Sequence, residues 1–134
     1  MNAASATECK PRVIVADDSP DFLEILLLLF NNSGVEVLAA KSGAEVLARY
    51  QEVKSAGQEV GLIAMDVCMP PMSGNTAAVK LRAAGYTGKI IVFTAYVASN
   101  GKKASLESGV DAYFDKSVLT RELVNALVEQ YCRK

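Results

Sequence analysis

Five short apolar runs, each followed by a turn and a longer helix-like stretch, set the rhythm of this 134-residue chain. The runs are Arg12 to Ala16, Glu36 to Ala40, Gly61 to Met65, Lys89 to Phe93 and Ala112 to Asp115. Three of them (VIVA, LIAM, IIVF) are apolar without interruption, as strands buried on both faces of a parallel sheet should be. Glu36 to Ala40 is more mixed and reads as an edge strand. Helices are predicted near Pro20 to Asn32, Ser42 to Ser55, Asn75 to Ala84, Lys102 to Ser108 and Val118 to Tyr131. Pro20 after Ser19 suits a first helical turn, and Gly34, Gly57, Gly85 and Gly109 stand where helices should stop. Five strands alternating with five helices predict an α/β fold: a doubly wound five-stranded parallel sheet, of order 2-1-3-4-5.

Composition narrows what such a sheet could do. The length suits one domain, placed at residues 10–134 behind a flexible N-terminal tail, 1–9. Fourteen Lys and Arg against fifteen Asp and Glu leave a net charge of −1, which offers no basic footprint for nucleic acid or an anionic membrane. The longest apolar run, Ile25 to Phe30, is far short of the ~20 residues a span needs, so membrane insertion is not expected. No histidine occurs. That absence excludes Ser-His-Asp and Cys-His catalysis, His-ligated zinc and any phosphohistidine role for this chain. Cys9, Cys68 and Cys132 are odd in number and form no CxxC pair, which argues against a disulfide framework or a thiolate metal site. Met1 to Lys10 has no apolar signal-like segment, so a cytoplasmic location is expected.

The polar residues that break the pattern gather at one edge. Ligands of open α/β sheets bind beyond the carboxyl ends of the strands, where strand order reverses. In this order that point lies between the first and third strands, which lead into Asp17-Asp18 and Asp66. Three carboxylates so close cannot all stay ionised unaided, and a hard divalent cation such as Mg²⁺ is the natural remedy. Thr94 follows the fourth run and Lys116 the fifth, adding a hydroxyl and an ammonium to the rim. Each residue alone has an ordinary explanation as a cap, a β-former or a solvated charge. Together they form a set suited to handling a phosphoryl group.

The stretches VIVADDSP, MDVCMPPMSG, FTAY and DAYFDKS resemble the receiver domain of two-component response regulators, from about Lys10 to the C-terminus. The resemblance implies a flavodoxin-like fold and a phosphoacceptor signalling switch rather than an enzyme. It implies that Asp66 accepts a phosphoryl group from a histidine kinase or histidine phosphotransfer protein. It further implies that Asp18, Asp66 and the backbone carbonyl of Cys68 hold Mg²⁺, with Asp17 acting on the metal mainly through water. Thr94 and Lys116 would bind phosphoryl oxygens, helped by the backbone N–H groups of Cys68 and Ala95. Thr94 and Tyr113 would form the switch that alters the surface offered to a downstream protein partner.

Three features are particular to this chain. Ser117 stands where the family usually has a proline after the lysine, which leaves a trans bond with a shifted loop, or a strained cis bond. In the family it resembles, the positions held here by Cys68 and Tyr96 help place the hydrolytic water; neither orients water well, so slow self-dephosphorylation is expected. The first helix reads FLEILLLLF. With Phe22, Ile25, Leu26, Leu29 and Phe30 turned to the sheet, Leu23 and Leu27 would lie outward with Leu28 near them, and the resemblance implies that Leu23 and Leu27 dock on the phosphoryl donor. A Mg²⁺-dependent phosphatase using Asp66 as nucleophile is the alternative, although Cys68 replaces the second acid of its DxD pair. A flavin-binding module would want a Ser/Thr/Gly-rich first loop, which DDSPD is not.

Overall fold

In the computed structural model, residues 11–70, 72–95 and 101–132 are described, without the side chains of 101 and 102; the expected tail, 1–9, lies outside them. Strands β1 (Arg12–Ala16), β2 (Glu36–Ala40), β3 (Leu62–Asp66), β4 (Lys89–Thr94) and β5 (Ala112–Asp115) form one sheet of order β2-β1-β3-β4-β5. Every neighbouring pair is parallel. The helices are α1 (Pro20–Asn31), α2 (Gly43–Ser55), α3 (Gly74–Ala83), α4 (Gly101–Glu107) and α5 (Arg121–Tyr131).

The unbroken apolar runs divide by parity. Ile14, Ala16, Ile63, Met65, Ile90 and Val92 join a core with Val46 and Tyr50 of α2 and Ala77, Ala78 and Leu81 of α3. Val13, Val15, Leu62, Ala64, Ile91 and Phe93 join the opposite core with Leu23, Leu26 and Phe30 of α1 and Val124, Leu127 and Val128 of α5. Since side chains alternate across a strand, a central strand must be apolar at every position to serve both cores.

Several boundaries differ from the pattern-based expectation, each for a local reason. β3 and β4 run one residue further, to Asp66 and Thr94, because the ladder continues through Asp66 opposite Phe93 and Thr94 opposite Asp115. The last helix starts at Arg121 rather than Val118. Lys116–Val118 is a separate 3₁₀ turn, and Thr120 caps α5 by accepting from Leu123 N at 3.1 Å. The first helix is rotated from the expected phase. Leu23 is buried and Leu27 half-buried, whereas Ile25 and Leu28 are 46% and 61% exposed. With eight of the nine residues from Phe22 to Phe30 apolar, periodicity cannot choose a face; the cap at Ser19 and packing at i, i+3, i+7 (Leu23, Leu26, Phe30) choose it.

Two anchors set the height of the functional edge. Asp111, just before β5, accepts from Ile90 N and Arg82 Nη2, both at 2.9 Å, while Arg82 also binds the carbonyls of Tyr86, Gly88 and Gly109. This clasp fixes where β5 begins beside β4, and so where Lys116 emerges. At the other end of the sheet, Ser73 caps α3 and Gly74 N donates to Val67 O at 2.6 Å. A Cβ on Gly74 would lie 2.4 Å from Asp66 O and 3.1 Å from Val67 Cα. Both are backbone atoms and cannot swing away. Gly74→Ala is therefore expected to lower stability by about 1–3 kcal/mol, the usual cost of overpacking, read as a lower midpoint in denaturant unfolding.

Candidate functional site

The site is built on the carboxyl ends of β1, β3, β4 and β5. Asp17, one residue past β1, is 1% exposed and Asp66, the last residue of β3, is 6% exposed; Asp18 faces solvent. Each of the three carboxylates offers an oxygen within 4.8 Å of the others. Asp17 Oδ1 accepts from Ser19 N at 2.9 Å, in the turn that starts α1. Asp66 Oδ1 accepts from Cys68 N at 3.2 Å. Lys116 Nζ completes the cluster, 2.8 Å from Asp17 Oδ2 and 3.4 Å from Asp66 Oδ2.

Three carboxylates against one ammonium leave an excess of negative charge in a largely buried place. Burial raises the Asp66 carboxyl above its ordinary value; the Cys68 N–H lowers it, Asp17 raises it again, and Lys116 lowers it, with a net upward shift. Burial alone would depress Lys116, but the contacts with Asp17 and Asp66 outweigh it and hold the ammonium charged. Apart from that ion pair, the buried Asp17 Oδ2 has no hydrogen-bond partner among the described residues. Hard oxygen donors, excess negative charge and an under-satisfied buried oxygen together suit a hard divalent cation.

Thr94 is 6% exposed at the end of β4, and Ala95 follows it at the rim. Tyr113 pairs in register with Val92 and packs, half-buried, against the α2/α3 core. Thr94 is two residues beyond Val92 and so shares that face, diagonal to Tyr113. Cys68 is exposed beside Asp66 and, like Cys132, is a free thiol. Tyr96 lies outside the described residues.

The 116–118 turn was only partly foreseen. Asp115 accepts from Ser117 N at 2.8 Å, a bond that a proline at 117 could not donate. These hydrogen bonds hold the Asp115 carboxyl below its ordinary range. An Asp followed two residues on by a residue with a free N–H is a legible local turn signal. Phe22 was the residue missed: its ring centroid is 4.2 Å from Lys116 Nζ. Nothing in sequence spacing joins residues 22 and 116; they meet only because the Lys116 side chain reaches from the end of β5 back to Asp17 and Asp66, beside the start of α1.

The family profile for the response regulator receiver domain matches residues 13–128, most of the chain. The chain belongs to the response regulator receiver domains. It is 33% identical over 125 residues to the sensor protein GacS of Pseudomonas syringae pv. syringae, covering 89% of this chain but only 13% of GacS. It is 32% identical over 122 residues to an uncharacterised 14.6 kDa protein of Leptolyngbya boryana, covering 90% of this chain and 88% of that one. Among solved structures it is similar to a CheY-like response regulator receiver domain protein from Methanospirillum hungatei JF-1, with TM-score 0.78 and 26% identity over 90% of this chain and 93% of that one. The chain thus matches a small part of one long sensor protein and most of one short chain, and the fold predicted from the hydrophobic pattern is that of the receiver domains.

The upward shift at Asp66 has a sign that can be tested in this receiver domain. A carboxyl whose folded pKa exceeds its unfolded value near 3.8 contributes fully to folding only below that value, and the contribution is lost as pH rises through the folded pKa. Without divalent cations, Asp66→Asn should unfold at a higher temperature than wild type at pH 7. That advantage should shrink as the pH is lowered toward 3.8, in thermal melts followed by circular dichroism.

Proposed function

We propose that this receiver domain is a Mg²⁺-dependent phosphoacceptor switch in which Asp66 takes a phosphoryl group from a phosphohistidine of a histidine kinase or histidine phosphotransfer protein. The observation that carries this reading is the place of Asp66 in the strand order. It ends the central strand, with the carboxylates that follow β1 on one side and Thr94 and Lys116 of β4 and β5 on the other. A carboxylate oxygen of Asp66 attacks phosphorus, the P–N bond breaks, and its electron pair leaves with the donor imidazole. Mg²⁺ held by Asp18, Asp66, the Cys68 carbonyl and, more remotely, Asp17 would supply charge neutralisation. Lys116, Thr94 and the N–H groups of Cys68 and Ala95 act on the remaining phosphoryl oxygens. The product stays on the protein's own side chain, so the chain is a stoichiometric acceptor. Its setting is the cytoplasm, where such donors form their phosphohistidine.

The signal leaves the site by packing. Thr94 drawn toward the phosphoryl group vacates space on the face it shares with Tyr113, and the half-buried ring can fill it, changing the surface around β5 offered to a downstream partner. The donor surface is α1, at Ile25 and Leu28 rather than Leu23 and Leu27: the exposed pair lies one to two turns along the helix that starts at the site's edge.

Two measurements check this. Incubation with acetyl phosphate and Mg²⁺ should add one phosphoryl group by intact mass. Asp66→Asn should take none, and Asp18→Ala should lose at least about tenfold in rate while keeping the wild-type circular dichroism spectrum. Labelling of Asp66→Asn at the wild-type rate would remove the assignment. Separately, Ile25→Ser with Leu28→Ser should slow transfer from a phosphohistidine protein by about tenfold, the loss of two buried apolar contacts, and leave the acetyl phosphate rate unchanged.

A further inference from the structure

The first turn of α1 stands directly over the carboxylate cluster, because Pro20 follows the Asp17-Asp18-Ser19 turn without a spacer. Ser19 caps the helix by accepting from Phe22 N at 3.4 Å, which fixes the backbone of Phe22 at the site's edge. Its half-buried ring lies against Lys116, with Nζ 4.2 Å from the centroid. Among the described residues the ammonium thus meets Asp17 at 2.8 Å, Asp66 at 3.4 Å and the aromatic face.

These neighbours differ in kind. Once Asp17 and Asp66 are engaged by a divalent cation, both ion pairs weaken, since the oxygens are claimed and the two cations repel. The attraction of an ammonium to a ring quadrupole does not depend on those oxygens. Lysine's long stem would otherwise be free to carry the charge into solvent, with the rotamer entropy of an unrestrained side chain in its favour. We propose that Phe22 is a positioning residue for Lys116: its ring holds the ammonium at the rim when the carboxylates turn to metal, so that an incoming phosphoryl group meets a lysine already in place. The inference rests on the phosphoacceptor reading for its consequence, but the contact itself is independent of it. An aliphatic side chain at 22 would occupy much of the same space and offer no negative face.

The test uses the full chain and four variants. In ¹H–¹³C spectra, the Lys116 Hε protons of wild type should carry an upfield ring-current displacement that survives saturation with Mg²⁺. Phe22→Tyr should keep that displacement and Phe22→Leu should lose it. With acetyl phosphate and Mg²⁺, Phe22→Leu should be phosphorylated about fivefold more slowly, the scale of one partly desolvated cation–π contact. Phe22→Tyr should stay near wild type, and Mg²⁺ affinity should not fall in either. In a Lys116→Ala background, Phe22→Leu should change the rate no further. A Tyr variant as slow as the Leu variant would show that packing, not the ring face, matters, and would overturn the proposal. So would a displacement that vanishes from wild type when Mg²⁺ is added. If wild type takes no phosphoryl group at all, the phosphoacceptor reading falls, and the spectra still decide whether the ring holds the ammonium.

Discussion

Two buried carboxylates, Asp17 and Asp66, share one ammonium at the carboxyl edge of this sheet, with the exposed Asp18 beside them, and the rest of the site is arranged around that imbalance. Asp17 and Asp66 are nearly removed from water, where like charges are costly, and Lys116 offsets only part of that cost. A folded protein keeps such a cluster only if the backbone leaves it no escape. Here Asp17 is tied to the start of α1 through Ser19 N, and Asp66 to the loop after β3 through Cys68 N. The stress is thus held in place by the backbone.

The scaffold supplies the rigidity that this requires. Each central strand is apolar on both faces, so its end cannot twist without disturbing two cores at once. Gly74 lets α3 return against the carbonyl of Asp66 at a distance no side chain would permit. The Arg82–Asp111 clasp fixes β5 at its far end, and the Asp115–Ser117 turn fixes it at the near end. Lys116 is in consequence delivered from an edge strand to the centre of the site. Phe22 receives it there, so one aromatic ring joins α1 to Lys116.

Much of this was legible along the chain because buried parallel strands and their helices obey different periods. The runs VIVA, LIAM and IIVF announced central strands, and strand order then brought Asp17, Asp18, Asp66, Thr94 and Lys116 to one edge. Where the local code was saturated it failed. In FLEILLLLF almost every position is apolar, so both candidate faces score alike, and Leu23 and Leu27 were turned the wrong way. The start of the last helix failed for another reason: a 3₁₀ turn and a Thr cap resemble a helix's first turn until their hydrogen bonds are seen.

What the amino-acid order determined by itself was therefore the element sequence, the parallel sheet and the set of residues at its functional edge, since these follow from burial and from the common sheet order that fits five strands best. What only the tertiary structure decided was phase, protonation and long-range contact. The face of α1 depends on which leucines fit the gap above Val13 and Val15. The raised carboxyl of Asp66 depends on how deeply it is buried and which charges surround it. The meeting of Phe22 and Lys116, 94 positions apart along the chain, depends on two helical and strand connections closing over the same edge. No local pattern encodes such a contact, because its distance is set by every element packed between them.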